Sequence, residues 1–134
     1  MTQNQGASTV GNMISIIYVG IGGFIGAVFR FLLSSTIQGS SKFPLGTLGV
    51  NILGAFTLSL INYSSEKALA LPNSSRLFLT VGLLGAFTTM STFSFESFKL
   101  LEENQNALFI ANLALNNLLC LIGIYLGKLA STII

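Results

Sequence analysis

Gly82-Leu-Leu-Gly-Ala-Phe-Thr-Thr-Met-Ser-Thr-Phe-Ser-Phe-Glu96 is the stretch whose reading decides the fold. It lies within an apolar segment, residues 77–101, long enough to cross a bilayer, yet it carries the hydroxyls of Thr88, Thr89, Ser91, Thr92 and Ser94. Gly82 and Gly85 precede that block, so helix propensity is weak where the polar groups begin. Hydrocarbon tolerates irregular backbone only where protein buries it or where it lines a wet cavity. The stretch therefore reads as a broken transmembrane helix whose freed carbonyls and hydroxyls face an ion or its path.

Composition agrees with a membrane setting. Of 134 residues, 51% are hydrophobic and 7% charged, against about 25% charged in a soluble domain. A net charge of +2 gives no nucleic-acid surface. The chain has one Cys and neither His nor Asp. That excludes Ser-His-Asp and Cys-His catalysis, Cys/His metal sites and an intrachain disulfide, so the chain does not read as an enzyme. Residues 1–12 are polar and uncharged, with no basic residue ahead of the first apolar run; they read as a disordered tail rather than a signal peptide.

A helix crossing the hydrocarbon core needs about 20 mostly apolar residues. Residues 13–37, 45–63, 77–101 and 107–133 each qualify, joined by short polar connections. The expected protein is all-α, with four membrane spans in residues 13–134 and its third helix broken. Its place is a cell membrane, inner or plasma, crossed several times.

In the first span, Gly22 and Gly26 form a small-xxx-small pair that lets two backbones approach closely in lipid. Arg30, the one charge in that span, either snorkels to the headgroups or lines a water-filled vestibule and gathers anions. In the second span, Thr47, Asn51 and Gly54 share a face. Asn51 serves either a helix–helix hydrogen bond or as a donor to a passing anion. Glu96 in the third span is ionisable and hence a functional candidate, or is simply exposed near the helix end. In the fourth span, Asn112, Asn116, Cys120, Gly123 and Gly127 project to one face, a packing seam for the glycines and a pore wall for the two amides.

Basic residues orient a membrane protein by accumulating on the cytoplasmic side. With four spans, one side holds Lys67, Arg76 and Lys128 and the other Lys42 and Lys99. That near balance permits insertion either way up, and two inverted copies could then pair; otherwise one orientation is set by other features.

Three patterns then resemble one family. Gly22-Gly-Phe-Ile-Gly-Ala-Val-Phe-Arg30, Gly46-Thr-Leu-Gly-Val-Asn-Ile-Leu-Gly54 and Gly85-Ala-Phe-Thr-Thr-Met-Ser-Thr-Phe-Ser94 are similar, in order, to the motifs of the Fluc/CrcB fluoride channels. The resemblance implies an antiparallel, dual-topology homodimer with two fluoride pores. It also implies a structural sodium ion at the dimer centre, held by the backbone carbonyls of Gly85 and Thr88. It puts the pore asparagine at Asn51, the vestibule arginine at Arg30, and the two pore-lining phenylalanine positions at Met90 and Phe93. A polar track continues through Ser94 to Asn112 and Asn116. Met90 departs from the family's phenylalanine, and a thioether lacks the positive ring edge that an aromatic offers an anion.

These residue types suit a small, hard anion. Amides and hydroxyls replace its water without the fixed charge that would hold it too long. The implied function is passive fluoride efflux that relieves fluoride toxicity. Two other readings stand beside it. A four-span, dual-topology multidrug exporter needs an embedded carboxylate and an aromatic cage; a non-conducting subunit of a heterodimeric channel needs only the glycine seams.

Overall fold

The computed structural model describes residues 3–67 and 71–133. It runs α1 (Gln3–Gln38), α2 (Leu45–Lys67), α3 (Asn73–Arg76), a π-helical run (Leu77–Leu84), α4 (Gly85–Phe87), α5 (Met90–Glu102) and α6 (Asn106–Ala130). No strand occurs among the described residues. Among the described residues, four helical stretches are long and apolar enough to span a membrane: Gly11–Gln38, Leu45–Ser64, Asn73–Glu102 and Asn106–Ala130. The chain is an all-α integral membrane protein with four spans, the third assembled from α3, the π-helical run, α4 and α5.

Residues 3–12, read as a disordered tail, continue α1 as helix. Extending an established helix gains a hydrogen bond for every residue fixed, and no proline interrupts the segment. Residues 1 and 2 lie outside the described residues.

Tight connections fix the first hairpin. α1 stops at Gly39, whose φ of +50° favours glycine. The Gln38 side chain then clasps the turn: its Nε2 donates to Ser41 O (2.7 Å) and Phe43 O (3.1 Å), while its Oε1 accepts from Gly46 N (3.0 Å). The α5–α6 turn passes through Asn104 at φ +58°, a left-handed conformation that asparagine tolerates better than most residues.

The burial profile is that of a protein solvated by hydrocarbon. Phe24 is 73% exposed on the outside, whereas Asn112 is 0% exposed within. α1 packs along the π-helical run and α2 along α6. The first seam is made by close backbone approach. A Cβ on Gly26 would overlap Leu83 O, and one on Gly22 would overlap Phe78 O and sit 2.9 Å from Leu83 N. In lipid, where apolar burial gives helices no preference for one another, such contacts supply the association. The second seam uses Gly123 and Gly127 against the α2 backbone, fastened by Ser59 Oγ donating to Ile124 O at 2.6 Å.

Candidate functional site

The third span breaks where its glycines give way to hydroxyls. Thr88 is extended (φ −77°, ψ 155°) and so is Thr89 (φ −148°, ψ 112°), after which α5 restarts at Met90. The restart is capped locally. Thr89 Oγ1 accepts from Thr92 N (3.2 Å) and bonds Thr92 Oγ1 (2.9 Å), satisfying a helix-end donor that would otherwise be orphaned in hydrocarbon.

Asn51, on α2, holds the break from outside. Its Oδ1 accepts from Thr89 N at 2.9 Å, and its Nδ2 donates to Thr89 O at 3.3 Å and to Asn116 Oδ1 at 3.1 Å. Gly54, one turn further along α2, admits Thr88 Cγ2 into the space where a Cβ would stand. The helix–helix alternative for Asn51 is thus realised, and both of its N–H groups are committed.

These side-chain bonds have a consequence for the backbone. In a continuous helix the N–H of Thr89 would bond to Gly85 O and that of Thr92 to Thr88 O. Asn51 Oδ1 and Thr89 Oγ1 take those donors instead. The carbonyls of Gly85 and Thr88 therefore lose their usual partners. Unwound backbone carbonyls at a helix break are the donor set a sodium ion takes in membrane proteins, so the residues present fit that ion. Gly85 is exposed on the single chain.

A one-way chain of donors leads inward from the break. Asn51 donates to Asn116, Asn116 Nδ2 donates to Asn112 Oδ1 (2.9 Å), Asn112 Nδ2 donates to Ser97 Oγ (2.9 Å), and Ser97 Oγ ends the chain at Phe93 O (2.7 Å). Asn112 and Asn116 are buried, and such amides are costly in hydrocarbon unless paired in this way.

The expected site residues divide into two groups. Asn51, Phe93, Asn112 and Asn116 meet inside the subunit, with Phe93 only 4% exposed. Met90, 71% exposed, and Ser94, whose Oγ donates back to Met90 O at 2.9 Å, lie on the open face of α5. Arg30 lines a cavity of about 250 Å³ with Ser34, Ser35, Thr47, Thr89 and Thr92. Among the described residues no carboxylate lines it, and its inner wall includes Thr89, the residue that Asn51 grips. Glu96 is half-buried, and its Oε2 is buried without a hydrogen-bond partner.

Two members of this network have no counterpart among the expected site residues. Thr89 is the hub of the break and Ser97 links α5 to α6. Thr89 sat in a row of five hydroxyls with nothing to single it out. Ser97 lies four residues after Phe93, and that spacing was the available signal.

Together these features define a class: a small multi-pass membrane protein whose third span is split at a hydroxyl-rich break and gripped by an asparagine from the second. The family model described as CrcB-like protein, Camphor Resistance (CrcB), matches residues 17–128. The protein named fluoride-specific ion channel FluC 1 of Methanosarcina acetivorans is 49% identical over 120 residues, covering 89% of this chain and 92% of the relative. The fluoride-specific ion channel FluC 3 of Methanosarcina barkeri is 47% identical over 117 residues, 87% of this chain and 89% of that protein. A fluoride-specific ion channel FluC of Ruminiclostridium cellulolyticum is 40% identical over 124 residues, 90% and 95% of the two chains. This chain belongs to the CrcB family.

Proposed function

We propose that this protein is a fluoride channel that lets the anion leave the cell passively across its membrane. The observation that carries the reading is the split third span, where Asn51 and Thr89 divert the N–H groups owed to the Gly85 and Thr88 carbonyls. The names of the relatives supply the ion.

Arg30 gathers anions at the mouth, in a cavity whose other polar side chains are all hydroxyls, with an influence reaching about 8 Å at physiological salt. From there the open face of α5 offers Ser94 and Met90, and the interior offers Phe93 and the amides Asn51, Asn112 and Asn116. The second group already donates within the subunit, so an anion at Asn51 competes for an N–H that Thr89 O or Asn116 Oδ1 now holds. That competition suits conduction, because a donor with an alternative partner holds an ion briefly.

A second, inverted copy completes the device. The exposed edge at Gly85, Met90, Ser91 and Ser94, with its two hydroxyls beside the open backbone of the break, is a poor surface to leave against lipid. Bound there, a sodium ion would supply a fixed positive charge and join the two breaks through Gly85 O and Thr88 O. Purified protein in liposomes should release trapped fluoride rapidly with no proton gradient imposed. Absence of fluoride release from vesicles shown to contain the protein would overturn the proposal.

A further inference from the structure

At the end of the bundle where α2 and α6 finish and the third span begins, a cavity of about 400 Å³ is lined by Leu58, Ser59, Asn62, Tyr63, Arg76 and Ile124. It is remote in the fold from the Arg30 cavity, which lies at the other end of α1 and α2. Lys128 stands beside it, with Nζ 5.2 Å from the centroid of the Tyr63 ring.

The lining is graded along the membrane normal. Asn62 and Lys128 occupy the outer level with Arg76. Leu58 and Ile124, each four residues earlier in its helix and so one turn deeper, occupy the inner level. Ser59 does not contribute a free hydroxyl, since its Oγ donates to Ile124 O. The outer level offers a guanidinium, an ammonium and a carboxamide; the inner level offers aliphatic carbon. Among the described residues no carboxylate lines the cavity.

We propose that this cavity binds an anionic phospholipid, its phosphate between Arg76 and Lys128 and the start of an acyl chain along Leu58 and Ile124. Arg76 suits a phosphate because its planar fork can meet two oxygens at once, and Lys128 adds a compact charge. Tyr63 serves as the platform that keeps Lys128 over the cavity, at the depth where tyrosines gather in membrane proteins. The apolar inner level selects the lipid over free phosphate, which has nothing to place there. The inference is independent of which ion the pore carries.

The test is native mass spectrometry of the whole chain in nonionic detergent, titrated with phosphatidylglycerol or with phosphatidylcholine of the same acyl chains. The protein should retain phosphatidylglycerol preferentially. A basic residue near an anionic lipid contributes about fivefold in affinity, so Arg76→Gln with Lys128→Gln should weaken retention about 25-fold. Lys42→Gln with Lys99→Gln removes the same charge at the other end and should leave retention unchanged. Arg76→Lys, which keeps the charge but not the fork, should fall between. Equal losses in the two double variants, equal retention of both lipids, or displacement of the lipid by millimolar inorganic phosphate would each overturn the proposal. Circular dichroism of each variant identifies any that fail to fold; Tyr63→Leu, with both charges kept and a partial loss of retention expected, then tests the site separately.

Discussion

Asn51 and Thr89, on different spans, are bonded to each other twice: Oδ1 to the threonine N–H at 2.9 Å and Nδ2 to its carbonyl at 3.3 Å. A carboxamide is the side chain that can accept and donate from adjacent atoms, so it substitutes for the missing turn of helix at the break. Asn51→Ala would strand the Thr89 N–H and carbonyl away from water. The expected cost is about 1–3 kcal/mol, the range for a buried polar group left without its partner. Fluoride release should fall with it. Unfolding by denaturant in detergent measures the first and liposome efflux the second. An alanine variant as stable as the parent would show that the double bond holds nothing.

The glycines of α1 are not equivalent, although the sequence spaces them alike. Gly26 meets Leu83 backbone, whereas Gly20 has nothing within 4 Å of a Cβ built on it. Gly26→Ala must separate α1 from the π-helical run and should destabilise by about 1–3 kcal/mol, as overpacking of a fitted core does. Gly20→Ala should be neutral or stabilise by about 0.5–1 kcal/mol through improved helix propensity. Thermal unfolding of the two variants side by side decides. The same sign for both would mean the seam can yield.

Much of the fold could be read from residues alone, and the reason differs from place to place. Four spans follow from length and hydropathy. The break follows from glycines running into hydroxyls within an apolar helix. The π-helical run could not be read, because Leu77–Leu84 is apolar but for Thr80 and carries no periodicity to distinguish a wider turn. For the same reason the sequence names Gly22 and Gly26 as a seam but not Phe78 and Leu83 as its other side. At the site, Asn51 and the Asn112–Asn116 pair announce themselves as amides in an apolar setting. Their bonds to Thr89 and Ser97 do not, since partners 38 and 15 residues apart are chosen by packing. The separation of Met90 from Phe93 is likewise a fact of where α6 lies.

Ser94 and Ser97, three residues apart on α5, should respond differently to alanine. Ser97 is buried and accepts from Asn112 Nδ2, itself in a residue with 0% exposure. Ser97→Ala orphans that amide and should lower stability by about 1–3 kcal/mol. Ser94 is exposed and bonds within its own helix, so Ser94→Ala should change stability by no more than about 0.5 kcal/mol. If Ser94 faces the fluoride path, its alanine variant nevertheless loses conduction. Normal stability with reduced fluoride release is the expected pattern for Ser94→Ala. Unchanged release would remove Ser94 from the pore.

The Gly85 and Thr88 carbonyls set the last expectation, which concerns sodium. Any ligand that binds the folded state alone stabilises it by mass action, about 2.7 kcal/mol at a hundred times its dissociation constant. Unfolding in sodium chloride should therefore occur at a higher temperature than in choline chloride of equal ionic strength, and the difference should grow with sodium concentration. Because the proposed ligands are backbone atoms, Thr88→Ala should keep this dependence. It should still lower the baseline, since it deletes the bond from Thr88 Oγ1 to Leu84 O (3.0 Å) and the methyl seated against Gly54. A melting temperature indifferent to sodium would leave the two carbonyls without the ion, and the sensitivity of Thr88→Ala distinguishes a side-chain site from a backbone one.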